Sequence, residues 1–242
     1  MGESQNAVVV ADAGSRMLVA AEYAKSFSSD WFNPLQSPLA DKVVAAAGGR
    51  GTVMFLDTGE EHWVLRHYRR GGLVGRINHD LYLWTGAERT RSFSEFRLLQ
   101  ALAERGLPVP DAVAARFHRH GLVYRADIIT RRIDDAQSWS ALLAEASDGT
   151  PGAQWQAVGA CIRRFHDAGV FHADLNAHNI MINSLGEVFV LDFDRGALRG
   201  PGGWQQANLE RLQRSLRKIS GQCDAPFYSD VRWRALLDGY AA

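Results

Sequence analysis

The 242-residue sequence lacks the marks of exported and membrane-spanning proteins. It has only two cysteines, Cys161 and Cys223, which provide neither a disulfide framework nor a metal-ligand spacing, so we expect both to be packing residues. No stretch approaches the 18 consecutive apolar residues of a transmembrane helix, and the first ten residues lack the basic start and apolar core of a secretory signal. We therefore expect neither a membrane span nor export by that route, and any membrane contact is expected to be peripheral.

The sequence also lacks an excess of charge of either sign. Lys and Arg together number 27, and Asp and Glu together number 27. Such a chain has no global field that attracts nucleic acid or anionic lipid, so we expect no nucleic-acid partner. Lysine is absent between Lys42 and Lys218. The histidines outside residues 171–183 show no metal-binding spacing, and structural or surface roles are expected for them.

Hydropathy and turn residues predict an α+β fold with a β-rich first half and a mainly helical second half. Helices are predicted over 92–105, 138–146, 153–168 and 204–220, and strands over 52–57, 62–68, 112–118, 121–129, 179–183 and 187–193. The predicted turns between paired strands lie at 58–60, 119–121 and 184–186. We therefore expect an N-terminal β-rich lobe with one main helix over residues 1–130, and a C-terminal, mainly helical lobe over residues 131–242.

The stretch "FHADLNAHNIMIN", residues 171–183, places short polar side chains between apolar ends. Asp174 and Asn179 lie five residues apart on a predicted loop, and Asp192 lies at the end of the next strand. Phosphoryl transfer from a magnesium nucleotide needs one carboxylate to accept a proton, and a carboxylate with an amide oxygen to hold Mg²⁺. The pattern favours this chemistry. The alternative is a set of turn-forming and capping residues without a catalytic role.

The same residues resemble the protein-kinase-like phosphotransferases, whose signature is H-x-D-L-x-x-x-N followed by D-F-G. This sequence has His172-Ala-Asp-Leu-Asn-Ala-His-Asn179 and then Asp192-Phe-Asp194, which departs from the signature at its last residue. The resemblance implies a two-lobed kinase-like fold with ATP and Mg²⁺ as cofactors. It further implies that Asp174 is the catalytic base, that Asn179 and Asp192 bind the metal, and that His172 supports the catalytic loop.

Candidate nucleotide-binding residues lie in the N-terminal half. Gly48, Gly49 and Gly51 precede a strand, where they either let backbone N–H groups approach phosphates or form a simple turn. Arg66 stands where the resembled family has its phosphate-binding lysine, so either Arg66 takes that role or phosphate binding is arranged differently. Glu95 is the expected ion-pair partner of Arg66. Alternatively, Glu95 closes a capping box that begins at Ser92.

We expect the segment that typical protein kinases use to bind protein substrates to be absent. Only 50 residues follow Asp192, and they contain no A-P-E motif, which favours a small-molecule or lipid-linked acceptor. Residues 64–84, 91–110 and 172–196 resemble the lipopolysaccharide core kinases of Gram-negative bacteria that phosphorylate 3-deoxy-D-manno-octulosonic acid (Kdo). This resemblance implies transfer of the ATP γ-phosphate to a hydroxyl, taken to be the 4-OH, of Kdo on lipid A precursor. It places the enzyme peripherally at the cytoplasmic face of the inner membrane.

Several alternatives stay open from the sequence. The arginines Arg66, Arg69, Arg70 and Arg76 form either an anion-binding cluster or a solvated hairpin edge. The helix 204–220, with Arg211, Arg214, Arg217 and Lys218 beside an apolar face, either lies on anionic lipid or covers the core of its lobe. The acceptor can instead be a soluble sugar, an aminoglycoside or a protein. A nucleotide-binding pseudokinase scaffold is suggested by Arg66 and Asp194, but the intact catalytic and metal-binding positions argue against it.

Overall fold

A computed structural model describes residues 7–12, 15–47, 53–69, 80–145, 152–224 and 226–242. The described residues form an α+β fold, as the sequence predicts. The chain divides into two compact units, the first made of Met1–Ala101 with Asp111–Arg132, and the second of Leu102–Pro110 with Ile133–Ala242. The assignment of a nucleotide-binding lobe and a catalytic lobe stays a prediction.

The first unit is built on an antiparallel sheet. Its strands are β1 (Ala7–Asp12), β2 (Ser15–Ala20), β3 (Val43–Ala47), β4 (Val53–Asp57), β5 (His62–His67), β6 (Tyr82–Leu83), β7 (Ala112–His120) and β8 (Val123–Arg131). Within the described ranges the order is β1-β2-β7-β8-β5-β4-β3, with β6 also paired to β8. In the described part of this unit, 3-10 turns lie at Ser29–Phe32, Pro34–Gln36, Ala40–Lys42 and Ala87–Arg89. Helix α1 (Arg91–Glu104) begins in this unit, and its last turn belongs to the second unit.

Alternating side chains determine which face of β4 and β5 is buried. Leu56 and Leu65 are fully buried in an apolar cluster that includes Met54 and Trp63. Because successive residues of a strand point to opposite faces, Arg66 points away from the cluster that contains Leu65. The predicted turn between these strands is present, and Gly59 in it has a φ of 91°, which favours glycine.

The hairpin of β7 and β8 differs from the prediction. His120 pairs with Val123, so the turn consists of Gly121 and Leu122 rather than residues 119–121. Gly121 has a φ of 60°, in the left-handed region that a two-residue hairpin turn requires. The strand therefore continues to His120, two residues beyond its predicted end.

The second unit combines helices with short strands. Its elements are β9 (Ala136–Ser138), α2 (Trp139–Glu145), α3 (Gly152–Asp167), β10 (Val170–Phe171), a 3-10 turn (Ala177–Asn179), β11 (Ile180–Asn183), β12 (Val188–Val190), β13 (Ala197–Leu198), α4 (Trp204–Ser220) and α5 (Asp230–Ala241). Strand β11 pairs with β12, as predicted, and with β9, while β10 pairs with β13. Among the described residues, no helix combines the length and the apolar character needed to cross a membrane.

Two glycines allow α3 and α5 to pack with their backbones in close contact. A Cβ atom on Gly159 would lie 2.0 Å from the carbonyl oxygen of Leu236, and one on Gly239 would lie 2.1 Å from that of Gln156. Real Cβ atoms do not approach this closely. Glycine is therefore required at both positions, and the contact fixes α3, which ends just before β10 and the loop that follows it.

Candidate active site

The loop between β10 and β11 is folded by its own short polar side chains. Asn176 Oδ1 accepts hydrogen bonds from the backbone N–H groups of His178 at 2.9 Å and Asn179 at 3.3 Å. The side-chain amide nitrogens of Asn176 and Asn179 both donate to the carbonyl oxygen of Asp174, at 2.9 Å and 3.1 Å. Asn176 therefore caps this turn, and the catalytic role of Asp174 and Asn179 stays a prediction. The loop holds Asp174 and Asn179 on the same turn.

His172 links this loop to the end of β12. Its Nδ1 accepts a hydrogen bond from the backbone N–H of Asp174 at 3.1 Å, and its Nε2 donates to the carbonyl oxygen of Leu191 at 2.8 Å. The imidazole is 4% exposed, and this burial lowers the pKa of His172 below its ordinary value of 6.5. The neutral ring has one donor and one acceptor, as these two contacts require. His172 thus joins the loop to the end of β12, and its role in supporting a catalytic site stays a prediction.

Asp192 is brought next to Asn179 by a backbone contact. The N–H of Leu191 donates to the carbonyl oxygen of Asn179 at 2.8 Å, and Asp192 is the next residue in the chain. Asp192 has a φ of 61°, a left-handed conformation that is uncommon outside glycine and often occurs at functional sites. Phe193, which follows, is buried against the ring of His172 at 4.9 Å between centroids. The positions of both predicted metal ligands are therefore fixed by the same loop and strand end.

The donor atoms of these two residues fit Mg²⁺. The side-chain N–H of Asn179 is engaged by Asp174, which leaves the Oδ1 atom of Asn179 as its donor to a cation. Asp192 supplies a carboxylate. Mg²⁺ prefers oxygen ligands and is usually bound by one or two protein oxygens together with substrate phosphates. In the part of the chain that the structure describes, no group of three His, Cys, Asp or Glu residues is placed to bind a metal.

Two residues of α4 that the sequence reasoning missed contact the loop. Asn208 is 2% exposed, donates to the carbonyl oxygen of His172 at 2.8 Å and accepts from its N–H at 3.3 Å. Arg211 Nη1 donates to Asp174 Oδ1 at 3.1 Å. Asn208 lies beside Leu209 and one turn before Leu212 on the buried side of α4. The sequence signal that could have identified Asn208 is its position as a polar residue within the apolar stripe of α4.

In the first unit, Arg66 and Glu95 form the predicted ion pair. Arg66 Nη2 lies 2.5 Å from each carboxylate oxygen of Glu95, and the Tyr68 hydroxyl donates to Glu95 Oε2 at 2.5 Å. Glu95 is 3% exposed. Helix α1 begins at Arg91, so Ser92 lies inside the helix and is not its N-cap, and the Ser92 hydroxyl donates to the carbonyl oxygen of Arg116 at 2.9 Å. The capping-box alternative is therefore wrong. A role of the pair in nucleotide binding stays a prediction.

Comparison with known proteins identifies the family of the chain. A family model described as the lipopolysaccharide kinase (Kdo/WaaP) family matches residues 37–240. The chain belongs to this family.

Proteins described as 3-deoxy-D-manno-octulosonic acid kinase are similar to this Kdo/WaaP family member. One from Stenotrophomonas maltophilia (strain K279a) is 50% identical over 176 residues, which cover 72% of this chain and 70% of that protein. One from Xanthomonas axonopodis pv. citri (strain 306) is also 50% identical, with the same coverage. One from Xylella fastidiosa (strain M12) is 42% identical over 215 residues, covering 88% of this chain and 83% of that protein. These matches confirm the resemblance to lipopolysaccharide core kinases.

Some predicted features of this Kdo/WaaP family member lie outside the described residues. They are Gly48, Gly49 and Gly51 of the glycine-rich segment, and Arg70 and Arg76 of the arginine cluster. His178, in the loop between β10 and β11, is described, and its Nδ1 forms a hydrogen bond of 2.8 Å with the Ser140 hydroxyl of α2.

The apolar face of α4 is buried, as predicted by the alternative in which this helix covers the core of its lobe. Leu209, Leu212 and Leu216 are each at most 5% exposed. This face therefore covers the core of its own unit, as one alternative stated, and is not available to contact lipid. Arg211, Arg214, Arg217 and Lys218 lie exposed on the other side of the helix.

Proposed function

We propose that this Kdo/WaaP family member is an ATP- and Mg²⁺-dependent kinase that transfers the γ-phosphate to the 4-OH of Kdo on lipid A precursor. The observation that carries the proposed chemistry is the His172 bridge, which joins the backbone of Asp174 to the strand end that bears Asp192. The choice of acceptor is supported by the relatives described as Kdo kinases.

In this proposal the catalytic loop performs the proton transfer. Asp174 orients the acceptor hydroxyl and receives its proton while the hydroxyl oxygen bonds to the γ-phosphorus, and the bond from that phosphorus to the ADP oxygen breaks. The Asp174 side chain is 64% exposed, so an incoming hydroxyl can reach it. Asn179 and Asp192 would hold Mg²⁺, which supplies charge neutralisation on the phosphates when it is bound.

The first unit would supply the phosphate-binding groups. Arg66 would contact the nucleotide phosphates in place of the usual lysine, since a guanidinium keeps the positive charge and binds phosphate oxygens well. Glu95 and Tyr68 support this role because both restrict the Arg66 side chain, with the Tyr68 ring centroid 4.7 Å from the Arg66 Cζ. Gly48, Gly49 and Gly51 would allow backbone N–H groups to approach the same phosphates.

We further propose that the protein acts peripherally at the cytoplasmic face of the inner membrane, where a lipid-linked acceptor is presented. The exposed cations Arg214, Arg217 and Lys218 of α4 support this location, because each basic residue near an anionic bilayer surface contributes about 1 kcal/mol of attraction.

The proposed function is tested with the purified chain, Mg-ATP and a panel of acceptors. The panel contains Kdo-lipid A precursor, lipid A precursor without Kdo, free Kdo, an aminoglycoside and a generic protein substrate. We expect the mass of one added phosphate only on Kdo-containing acceptors, and fragmentation should place it on the 4-oxygen. Phosphorylation of the Kdo-free lipid, the aminoglycoside or the protein would show that the acceptor belongs to that class instead. Nucleotide binding without phosphorylation of any acceptor would support the pseudokinase scaffold.

A further inference from the structure

An exposed arginine contacts the proposed catalytic base. The side chains of Arg211 and Asp174 are 48% and 64% exposed, with 3.1 Å between Nη1 and Oδ1. Exposed ion pairs contribute about 0–1 kcal/mol to stability, because solvent screens them and two flexible side chains must be ordered. Stabilisation of the fold therefore does not account for an arginine at this position.

The backbone of Arg211 is fixed close to the catalytic loop by a buried neighbour. Asn208, three residues earlier on α4, exchanges two hydrogen bonds with the backbone of His172. Residues three apart lie on the same face of a helix, so Asn208 and Arg211 both face the loop. Asn208 is buried and hydrogen-bonded, whereas the guanidinium of Arg211 is exposed to solvent. A fixed backbone that carries an exposed charged group is suited to binding a ligand.

The catalytic loop contains no basic residue other than histidine. Between His172 and Asn179 the sequence has neither lysine nor arginine, so the cation beside Asp174 comes from α4. A guanidinium presents five N–H donors in a planar fork, and only the Nη1 group contacts the base. The fork is suited to a second carboxylate because it can donate two parallel hydrogen bonds to it.

The chemistry of the proposed acceptor provides that second carboxylate. Kdo is a sugar acid whose carboxylate is attached to ring carbon 2, and a single ring carbon separates this position from the carbon that bears the 4-OH. A group that binds the carboxylate is therefore adjacent to the reacting hydroxyl. Because Arg211 contacts the base itself, it is correctly placed to hold the carboxylate while the hydroxyl faces Asp174.

We infer that Arg211 binds the carboxylate of the Kdo acceptor and thereby selects a sugar acid and orients its hydroxyl toward Asp174. This inference rests on the proposed function. It assigns to α4 an acceptor site distinct from the nucleotide-binding groups, and it predicts that Arg211 affects the acceptor and not ATP.

The test compares Arg211→Gln with wild type on two acceptors, the Kdo glycolipid and its counterpart in which the Kdo carboxylate is a carboxamide. Wild type should prefer the acid by roughly 10- to 100-fold in kcat/KM, the range expected for hydrogen bonds to a charged group. Arg211→Gln should lose this preference, with an unchanged KM for ATP, and Arg211→Lys should recover part of it.

Arg163→Gln is a matched control, since Arg163 is 46% exposed and pairs with Asp167 at 2.7 Å within α3. It should keep the full preference for the acid. A preference for the acid that persists in Arg211→Gln would overturn the inference and leave the proposed function intact. A wild-type enzyme that phosphorylates neither acceptor would overturn both.

Discussion

The Nη2 atom of Arg66 lies 2.5 Å from both carboxylate oxygens of Glu95, on a helix that begins 25 residues later in the chain. Glu95 is 3% exposed, and its carboxylate is held by protein contacts that include Arg66 and the hydroxyl of Tyr68. An arginine therefore forms the pair that the resembled family forms with lysine. The pair makes the phosphate role of Arg66 testable.

We predict that Arg66→Ala weakens ATP binding by roughly 10- to 100-fold, because a charge-assisted contact to phosphate is lost. It should also lower the free energy of unfolding by about 3 kcal/mol, since a buried carboxylate loses its partner. Arg66→Lys should recover most of the ATP affinity. Titration calorimetry with Mg-ATP and urea unfolding measure the two effects.

Arg97→Ala is the control for Arg66, because it removes an exposed arginine that pairs with Glu88 at 2.6 Å. It should change neither ATP affinity nor stability by more than a few tenths of a kcal/mol. Equal ATP affinity in Arg66→Ala and Arg97→Ala would assign phosphate binding to other groups.

A buried histidine predicts how stability depends on pH. Burial lowers the pKa of His166 from 6.5 to about 4, and its Nδ1 lies 2.8 Å from the Tyr240 hydroxyl. Between these pH values the unfolded chain binds more protons than the folded one, so stability falls as the pH decreases from 6.5 toward 4. Between pH 7.5 and pH 5 the loss from this group is about 2 kcal/mol.

The pH prediction is checked by urea unfolding at both pH values in wild type, His166→Gln and a variant of the exposed His120, His120→Gln. His166→Gln should reduce the pH-dependent loss, although burial also lowers the pKa of His172, so part of the loss remains. His120→Gln should behave like wild type. An identical pH profile in all three proteins would contradict the assignment to His166.

Close backbone packing of α3 and α5 predicts a large effect of a single methyl group. Gly159→Ala should lower the free energy of unfolding by about 3 kcal/mol, because its Cβ would overlap a backbone carbonyl that cannot move without shifting α5. Gly152→Ala, at the start of the same helix, has no atom within 4 Å of the new Cβ and should leave stability unchanged or slightly higher. Thermal and urea unfolding distinguish these results.

Asn208 provides a prediction for the positioning of the catalytic loop. Asn208→Leu keeps the buried volume of this site but removes both hydrogen bonds to the backbone of His172. We expect kcat to fall by roughly 10- to 100-fold with little change in the KM for ATP, because geometry near the base is lost while the phosphate contacts remain. Steady-state kinetics on the Kdo glycolipid measure kcat and the KM for ATP separately. A fall in ATP affinity with an unchanged kcat would contradict it.

The loop of residues 171–183 was predictable because its geometry is local. Asp174 and Asn179 are separated by a turn that Asn176 caps from within, so their spacing in sequence fixes their spacing in space. The predicted α4 agrees with the structure over its whole length, since its apolar side chains recur at helical spacing without interruption.

Contacts between distant elements that the family resemblance does not imply were not predictable. Arg211 meets Asp174 across 37 residues of sequence, and its position in an exposed basic row gave no sign of that contact. Helix α5 was not predicted, and it contains Gly239, a poor helix former whose missing side chain permits the close approach of Gln156. Both the Arg211–Asp174 contact and helix α5 depend on packing between separate elements, which local sequence patterns do not predict.

Single-turnover phosphorylation of the Kdo glycolipid by Asp174→Asn tests the assignment of the catalytic base most directly. Asparagine keeps the size of the side chain but cannot accept the proton, so we predict a rate at least roughly 100-fold below wild type with unchanged ATP affinity. Asp167→Asn, which changes a carboxylate of similar exposure on α3, should retain the wild-type rate. A wild-type rate in Asp174→Asn would contradict the role of the 171–183 loop as the site of phosphoryl transfer.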